Sequence, residues 1–168
     1  MKIIISESQY RILKESKNKK AILALIEEKG LLGASEFLGM PIYELIEMGV
    51  VEKYNGRLPL NRTPIESLGS LEEVGGYLDL RNTPIKSLGK LRKVGDSLNL
   101  GESEIEDLGE LNFVGESLAL WKTPIESLGE LKYVGGDLYI ENCPLSELSD
   151  EEIRRQVKIK GKIYRGLI

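Results

Sequence analysis

The chain has 168 residues, of which 41% are hydrophobic and 30% charged, a balance that indicates a folded protein and excludes a disordered one. No apolar run approaches the roughly 18 residues that cross a bilayer, and the apolar run near the N-terminus is too short for a secretory signal, so we expect a soluble, cytoplasmic protein. Within a net charge of −4, residues 58–148 carry 8 basic against 16 acidic side chains, which disfavours a nucleic-acid partner there.

Residues 1–50 lack the pattern that governs the rest of the chain, and their apolar spacing predicts a small helical bundle that caps one end of the protein. Helices are expected at about 7–16, 19–29, 34–38 and 42–48. Ser6 and Gln9 have the spacing of a capping box, in which each side chain bonds a free N–H of the first helical turn. The buried stripe of the second helix would consist of Ile22, Leu23, Leu25 and Ile26.

Residues Gly30–Gly49, GLLGASEFLGMPIYELIEMG, resemble a helix-turn-helix. In that family the second helix enters the major groove and reads bases, which would give this role to Pro41–Met48. That helix carries Glu44 and Glu47 but no Lys or Arg, so it repels phosphates and lacks the forks that recognise bases. We therefore expect a cap that covers the first coil of a repeat array. The alternative is a DNA-binding regulator that uses residues 17–49, with backbone contacts from Lys17, Lys19 and Lys20.

From Leu58 onward the chain repeats every 20 residues. Four full copies span residues 58–137: LPLNRTPIESLGSLEEVGGY, LDLRNTPIKSLGKLRKVGDS, LNLGESEIEDLGELNFVGES and LALWKTPIESLGELKYVGGD. A partial fifth copy follows, so residues 51–148 are assigned to the repeats. Each copy is one coil that buries its leucines only against its neighbours, and the coils must stack into a solenoid to be stable.

Within a copy, the spacing predicts one strand and a tight return. Leu78 and Leu80 alternate around Asp79, which is the period of a strand with one buried face. Pro84 ends the strand because it has no N–H for a further ladder bond. A 3₁₀-like or irregular return is expected because apolar residues follow at intervals of three: Ile85, Leu88 and Leu91. The valine-glycine pair that comes next is expected to turn the chain toward the following strand.

The motif Leu78-x-Leu80-x-x-Thr83-x-Ile85 is similar to the leucine-rich-repeat core LxLxx(N/C/T)x(L/I), and it recurs along the array. The resemblance implies an α/β solenoid with a short parallel sheet. One departure is that the leucine which this family usually has three residues before the strand is glycine here, as at Gly75. The pattern TPIxSLGxLxxVGG also resembles repeats of bacteriophage-encoded proteins, which implies a location in the host cytoplasm or in a virion.

Residues 149–168 predict a C-terminal cap made of a short helix and a strand or hairpin. Ser149 and Glu152 have the capping-box spacing that opens a helix. The segment VKIKGKIYRG then alternates apolar residues around Gly161. Its lysines are expected to keep a free sheet edge from pairing with other molecules: Lys158, Lys160 and Lys162.

The sequence lacks the residue sets that enzymes use. It has no histidine, and hence no imidazole for acid-base catalysis or metal binding. Cys143, the only cysteine, falls at a small inward position of the repeat, which predicts a buried structural thiol and not a nucleophile. No phosphate-binding glycine loop is present. We therefore expect no enzymatic activity, no cofactor and no metal.

Residues that point outward from the predicted sheet differ between copies, so the framework does not require them. Arg81, Trp121 and Tyr139 would surround a gap at Gly101 and Ala119, and such a composition is typical of interface hot spots. The sequence therefore predicts a protein-protein interaction module, whose partner is an unspecified protein or a second copy of the chain. The predicted binding residues are Tyr77, Asp79, Arg81, Asn99, Trp121, Tyr139 and Glu141.

Overall fold

Each 20-residue period contributes two short strands, and stacking of the periods builds a parallel β-solenoid. The structure is a computed structural model that describes residues 18–166. Successive coils pair in two six-stranded parallel sheets. Equivalent residues of neighbouring repeats face each other, as Val74 faces Val94 in one sheet and Leu78 faces Leu98 in the other. The repeat period therefore sets the register of both sheets.

The first sheet contains the valine of each period, and the second contains the leucine that begins the sequence repeat. The strands of the first sheet are β1 (Lys53–Tyr54), β3 (Glu73–Val74), β5 (Lys93–Val94), β7 (Phe113–Val114), β9 (Tyr133–Val134) and β11 (Lys158–Ile159). The strands of the second sheet are β2 (Leu58–Pro59), β4 (Leu78–Asp79), β6 (Leu98–Asn99), β8 (Leu118–Ala119), β10 (Leu138–Tyr139) and β12 (Ile163–Tyr164). The sequence analysis predicted only the second sheet. It assigned the valine-glycine pair to a turn, whereas the valine belongs to a strand of the first sheet.

The core is a column of inward leucines, isoleucines and valines, and a small hydroxyl residue closes each coil beside it. Ile85, Leu88 and Leu91 are fully buried, as the spacing of three predicted. The return between the sheets is irregular in the four full copies, and the one 3₁₀ helix of the described chain, Pro144–Glu147, lies in the partial fifth. The hydroxyl of Thr83 donates to the carbonyl of Leu80 at 2.7 Å, which satisfies the acceptor where the strand bends away.

The glycine that follows the valine of each period is required by close contact between coils. A Cβ placed on Gly95, Gly115 or Gly135 would lie 2.0, 1.8 or 1.9 Å from the carbonyl oxygen of the glycine one coil earlier. None of these three glycines has a positive φ. The absence of a side chain, and not backbone freedom, is therefore what the position demands.

Two helices precede the solenoid between residue 18 and the first strand. Helix α1 spans Lys19–Leu38 and is broken at Gly30, where φ is 74°, so the predicted helices at 19–29 and 34–38 are nearly continuous. Gly39 ends it in the left-handed conformation, and α2 follows at Ile42–Glu47. The predicted helix at 7–16 and its capping box lie outside the described residues. No helix of the described chain is both long enough and apolar enough to span a bilayer.

Helix α2 lies directly on the first coil. Leu45 and Ile46 are fully buried, and a carboxylate oxygen of Glu47 accepts the backbone N–H of Glu66 at 2.7 Å. The carbonyl of Ile46 comes so close to Gly69 that a Cβ there would lie 2.4 Å from its oxygen. These contacts shield the apolar end of the array from solvent.

The C-terminal segment completes both sheets. Helix α3 spans Asp150–Gln156 and begins with the predicted capping box, in which Ser149 and Glu152 bond each other's backbone N–H at 3.3 and 2.8 Å. Strand β11 then joins the first sheet and β12 joins the second, both parallel to their neighbours. Of the predicted strand or hairpin, terminal strands are present, whereas the hairpin is wrong, because the two strands continue the solenoid as one more coil and do not pair with each other.

Replacing Gly115 with alanine is predicted to lower the free energy of unfolding by about 2–4 kcal/mol, because the new methyl group meets backbone that cannot move without separating two coils. Urea denaturation followed by circular dichroism measures the loss. The control is Gly129→Ala, where nothing lies within 4 Å and only the positive φ of 54° opposes alanine, at about 1 kcal/mol. Equal losses in the two variants would contradict the role of close coil contact.

Candidate interaction surface

The outward face of the second sheet contains an ion pair in which the carboxylate is buried and the guanidinium is partly exposed. Asp79 is only 4% exposed, and its two carboxylate oxygens accept hydrogen bonds from Nε and Nη2 of Arg81 at 2.9 and 2.7 Å. The Asp79 Oδ1 also accepts the backbone N–H of Arg81 at 3.2 Å. Such a two-pronged contact fixes the plane of the guanidinium. Arg81 is thus a held side chain with its outer edge facing solvent.

The charge of this pair is stable at neutral pH. Burial alone would raise the pKa of the Asp79 carboxyl, but hydrogen bonds from the Arg81 side chain and backbone outweigh it, so that pKa lies below its ordinary value. The hydrogen bond to Asp79 in turn raises the pKa of Arg81. Both groups therefore remain ionised together.

Tyr77 lies beside this pair and presents one face of its ring to a cation. The guanidinium of Arg57 is 5.5 Å from the ring centroid, within the range of a cation-π contact. Burial, and then the negative charge of Asp79, raise the pKa of the Tyr77 hydroxyl. The phenol is therefore neutral.

The indole of Trp121 rests on the backbone of the preceding coil. A Cβ on Gly101 would lie 2.2 Å from Cε2 of the Trp121 ring, so the ring occupies the space that a side chain at residue 101 would fill. The ammonium of Lys122 is 5.5 Å from the ring centroid and also pairs with Glu102 at 2.8 Å. Trp121 is half-buried as a result, with part of the indole open to solvent.

A stacked pair of aromatic rings lies toward the C-terminal end of the same face. The rings of Tyr139 and Tyr164 are stacked with centroids 4.9 Å apart and planes inclined by 9°. The Tyr139 hydroxyl donates to Asp137 at 3.4 Å, and burial followed by the charge of Asp137 raises the pKa of Tyr139. In the sheet register Ala119 lies beside Tyr139, so a small residue again adjoins a ring.

A groove of about 830 Å³ lies at the N-terminal end of this face, between helix α1 and the first three coils. Its apolar wall includes Leu32, whose side chain is 59% exposed although it is a large aliphatic residue. The other lining residues are Arg57, Pro59, Tyr77, Asp79, Arg81, Asp96, Ser97 and Glu116. One end of the groove is thus basic and the other acidic.

The residues predicted from sequence to bind a partner fall into two groups in the structure. Asp79 and Asn99 have internal roles, since Asp79 is buried under Arg81 and Asn99 accepts the backbone N–H of Gly101 at 3.1 Å. The others are half-exposed on one face: Tyr77, Arg81, Trp121, Tyr139 and Glu141. The gap expected at Gly101 is filled, because the Trp121 ring folds back over it.

The predicted set of binding residues leaves out several residues of this surface, among them Arg57, Tyr164 and Leu32. Arg57 precedes the first leucine at the position that Tyr77 has one coil later, so the repeat could have found it. Tyr164 faces Tyr139 across an offset of 25 residues, outside the 20-residue period. Leu32 lies on α1, and no pattern in the sequence relates it to the groove.

The residues considered for DNA contact, nucleophilic catalysis or metal binding do not form a common site in the described part of the chain. Lys19 and Lys20 are exposed at the start of α1, and Lys17 lies outside the described residues. Cys143 is buried, its thiol donates to the carbonyl of Ile125 at 3.3 Å, and burial raises its pKa. Between residues 18 and 166, no group of three Cys, Asp or Glu side chains is placed to hold a metal ion.

Comparison of the chain with protein-family models, with curated proteins and with solved structures finds no match. The surface is therefore interpreted from its own geometry. That geometry consists of half-exposed rings and a fixed arginine on one sheet face, beside a groove.

Substituting Asp79 with asparagine is predicted to cost about 1–2 kcal/mol of unfolding free energy at pH 7, because the charged bonds to Arg81 are weakened. The fold itself tolerates the change, since Asn99 has the same position one coil later and makes the same backbone contact. Denaturant unfolding of both proteins at pH 7, 5 and about 3.5 measures the difference.

The pH dependence of this difference follows from the sign of the pKa shift. The folded pKa of Asp79 is depressed, so its stabilisation is fully present above the unfolded pKa of about 3.9 and is lost as the pH falls through the folded pKa. The gap between wild type and Asp79→Asn should therefore narrow as the pH drops below about 4. A gap that stays constant with pH would contradict a charged Asp79.

Replacing Gly101 with alanine is predicted to push the Trp121 indole off the backbone, because ring atoms lie within 2.5 Å of the new Cβ. Trp121 is the only tryptophan, so its fluorescence reports the change directly. We expect emission at longer wavelength, stronger acrylamide quenching and a stability loss below about 2 kcal/mol, since a side chain yields more easily than backbone. The control is Gly166→Ala, which has nothing within 4 Å. Unchanged emission in Gly101→Ala would show that the ring is not seated there.

Proposed function

We propose that the chain is a non-enzymatic protein-interaction module that binds a protein partner through the outward face of the second sheet. The carrying observation is that half-exposed aromatic side chains and a pre-oriented arginine lie on one face of the second sheet: Tyr77, Arg81, Trp121, Tyr139 and Tyr164. Aromatic residues and arginine dominate binding energy at protein interfaces, because burying them excludes water from large flat surfaces. Arg81 loses little conformational entropy on binding, since Asp79 already holds it.

The groove favours a partner segment that inserts a side chain. Leu32 and Tyr77 provide apolar wall surface. Arg57 at one end of the groove and Glu116 at the other offer opposite charges to the ends of such a segment. A groove of about 830 Å³ accommodates several side chains. Both attraction and orientation would come from the charges at its ends.

The resemblance to leucine-rich repeats supports this proposal, because that family presents variable residues on a regular sheet. The likeness to repeats of bacteriophage-encoded proteins extends it: the chain would act in a host cytoplasm on a host factor, or lie in a virion. The support for this extension is the repeated motif TPIxSLG, which occurs at residues 63–69, 83–89 and 123–129.

DNA binding through residues 17–49 is the alternative, and the geometry of α2 weighs against it. The helix that would read bases buries Leu45 and Ile46 and uses Glu47 to bond the first coil. Titration of the protein with random duplex DNA at about 50 mM salt tests the alternative, since backbone binding is strongest at low salt. Salt-sensitive binding that Lys19→Glu and Lys20→Glu abolish would support it.

The interaction surface is tested by replacing aromatic residues with alanine on the second sheet and, as controls, on the first sheet. Trp121→Ala and Tyr139→Ala are predicted to reduce partner capture at least about tenfold, whereas Phe113→Ala and Tyr133→Ala should leave it unchanged. The controls are matched, because the Phe113 and Tyr133 rings stack with centroids 5.0 Å apart on the first sheet, as Tyr139 and Tyr164 do on the second. Capture by immobilised protein with quantitative mass spectrometry measures the effect.

Stability must be measured on the same variants so that binding and folding are separated. Removal of a half-buried ring from either face should lower the melting temperature by a few degrees. Loss of capture that follows the melting temperature across all four variants would contradict a binding face. Loss confined to Trp121→Ala and Tyr139→Ala identifies the second sheet as the surface.

A further inference from the structure

The groove beside helix α1 contains charged side chains that have no charged partner in the described part of the chain. The guanidinium of Arg57 contacts the Tyr77 ring but forms no ion pair with any residue between 18 and 166. The same holds for Asp96 and Glu116, although Glu116 accepts a hydrogen bond from the Ser97 hydroxyl at 3.1 Å. All of these residues line the groove. An ionic ligand would therefore meet both charges uncompensated.

The repeat fixes how far apart these charges lie. Residues 57, 77, 97 and 117 are equivalent positions of successive coils, because the leucines that follow them pair in register. Strands of a sheet lie about 4.8 Å apart, so the backbone of Arg57 is about 14 Å from that of Ser117 along the sheet. Glu116 comes directly before Ser117, and Asp96 lies one coil nearer to Arg57. One cation thus faces two anions across about 10 to 14 Å.

The walls of the groove are apolar at two places. Helix α1 contributes Leu32, whose side chain is 59% exposed, and the sheet contributes the half-buried ring of Tyr77. An aliphatic group that covers both releases the water held against them. Arg81 lines the same groove, but Asp79 already neutralises its charge. Along the sheet the free groups are therefore positive, then apolar, then negative.

An extended segment matches this spacing, whereas a helix does not. Residues i and i+4 of an extended chain lie about 13 Å apart, and residues i, i+2 and i+4 point to the same side. Three side chains can then face the groove together, with the outer two at its charged ends. A helix about 14 Å long and about 10 Å wide occupies roughly 1,100 Å³, which exceeds the groove of about 830 Å³.

We propose that the groove binds an extended peptide segment of a partner protein, in which an acidic, an aliphatic and a basic residue follow each other at intervals of two. The acidic side chain pairs with Arg57, and the aliphatic one packs on Leu32 and Tyr77. The basic side chain pairs with Asp96 and Glu116. This ligand rests on the proposed function, since it is the part of the protein partner that enters the groove. A segment with like charges at both ends meets repulsion at one of them.

The probe is the synthetic peptide acetyl-Glu-Ser-Leu-Ser-Lys-amide, added to the full chain labelled with ¹⁵N. We expect saturable shifts of the amide resonances of Leu32, Tyr77 and Ser97, and none at Phe113 on the first sheet. The matched peptide acetyl-Ser-Glu-Leu-Lys-Ser-amide has the same composition, but its charged residues are only about 7 Å apart. It should bind at least about fivefold more weakly. Equal affinity, or no saturable shift at millimolar peptide, overturns the proposal.

Reversal of one charge tests which end of the groove holds which side chain. Arg57→Glu should lose the first peptide and bind acetyl-Lys-Ser-Leu-Ser-Lys-amide more tightly than the wild type does, because both ends of the groove are then acidic. The control is Arg62→Glu, an exposed arginine of the same coil that does not line the groove, and it should keep the original preference. An unchanged preference in Arg57→Glu overturns the assignment.

Removal of the aliphatic wall tests the centre of the segment. Leu32→Ala should weaken binding of the first peptide at least about threefold, because the apolar contact is lost. Leu23→Ala is the matched control, since Leu23 is 42% exposed on the same helix and does not line the groove. Equal affinities of the two variants would contradict packing on Leu32.

The peptide and the capture experiment fail separately. If Trp121→Ala lowers partner capture but the peptide does not bind, the interaction module stands and this ligand is wrong. If the peptide binds with the expected preferences and Trp121→Ala leaves capture unchanged, the groove is supported and the aromatic face is not. Concentration-dependent shifts of Leu32 and Tyr77 without peptide, together with a dimer in sedimentation, overturn the proposal and assign the groove to a second copy.

Discussion

The close approach of successive coil backbones at the glycine after each valine is the constraint on which the structure depends. The N–H of Gly95 donates to Val74 at 2.8 Å and that of Gly115 to Val94 at 2.9 Å, and the same approach leaves no room for a Cβ at either glycine. A coil that slipped by one residue would place a side chain against a carbonyl. The glycines therefore admit one register, and this register aligns every inward leucine with the leucine 20 residues away.

A fixed register turns the surface into parallel rows in which each side chain has a defined neighbour. Strands lie about 4.8 Å apart, so residues 20 positions apart touch. Phe113 stacks on Tyr133 in this way, and the Ser87 hydroxyl donates to Asp107 at 3.0 Å. Within such rows the functional information lies in the differences between copies. A tryptophan can fold down at residue 121 because residue 101 is a glycine.

The sequence was most predictive where one physical cause acts locally. The period, the inward leucines and the Ser149 capping box could be predicted, because periodic burial and terminal N–H groups leave clear patterns. The valine-containing strand of each coil, which forms the first sheet, could not be predicted, because valine followed by glycine is also compatible with a turn. The burial of Asp79 depends on Arg81 folding over it, and the position of Leu32 depends on how α1 meets the first coils. Both are tertiary relations that spacing does not encode.

The ends of the solenoid show how hydrogen-bond direction limits the ways an array can stop. A long cationic side chain can satisfy carbonyls, and Arg154 does so where the first sheet ends. The edge of a parallel sheet also presents N–H groups, and these need a carboxylate, an amide oxygen or another backbone carbonyl. Carboxylates beside β12 are already engaged, since Asp137 accepts the backbone N–H of Lys162 at 2.8 Å and Asp150 pairs with Arg165. The two sheets are therefore finished by different means, a guanidinium where the first sheet ends and a proline, Pro59, where the second begins.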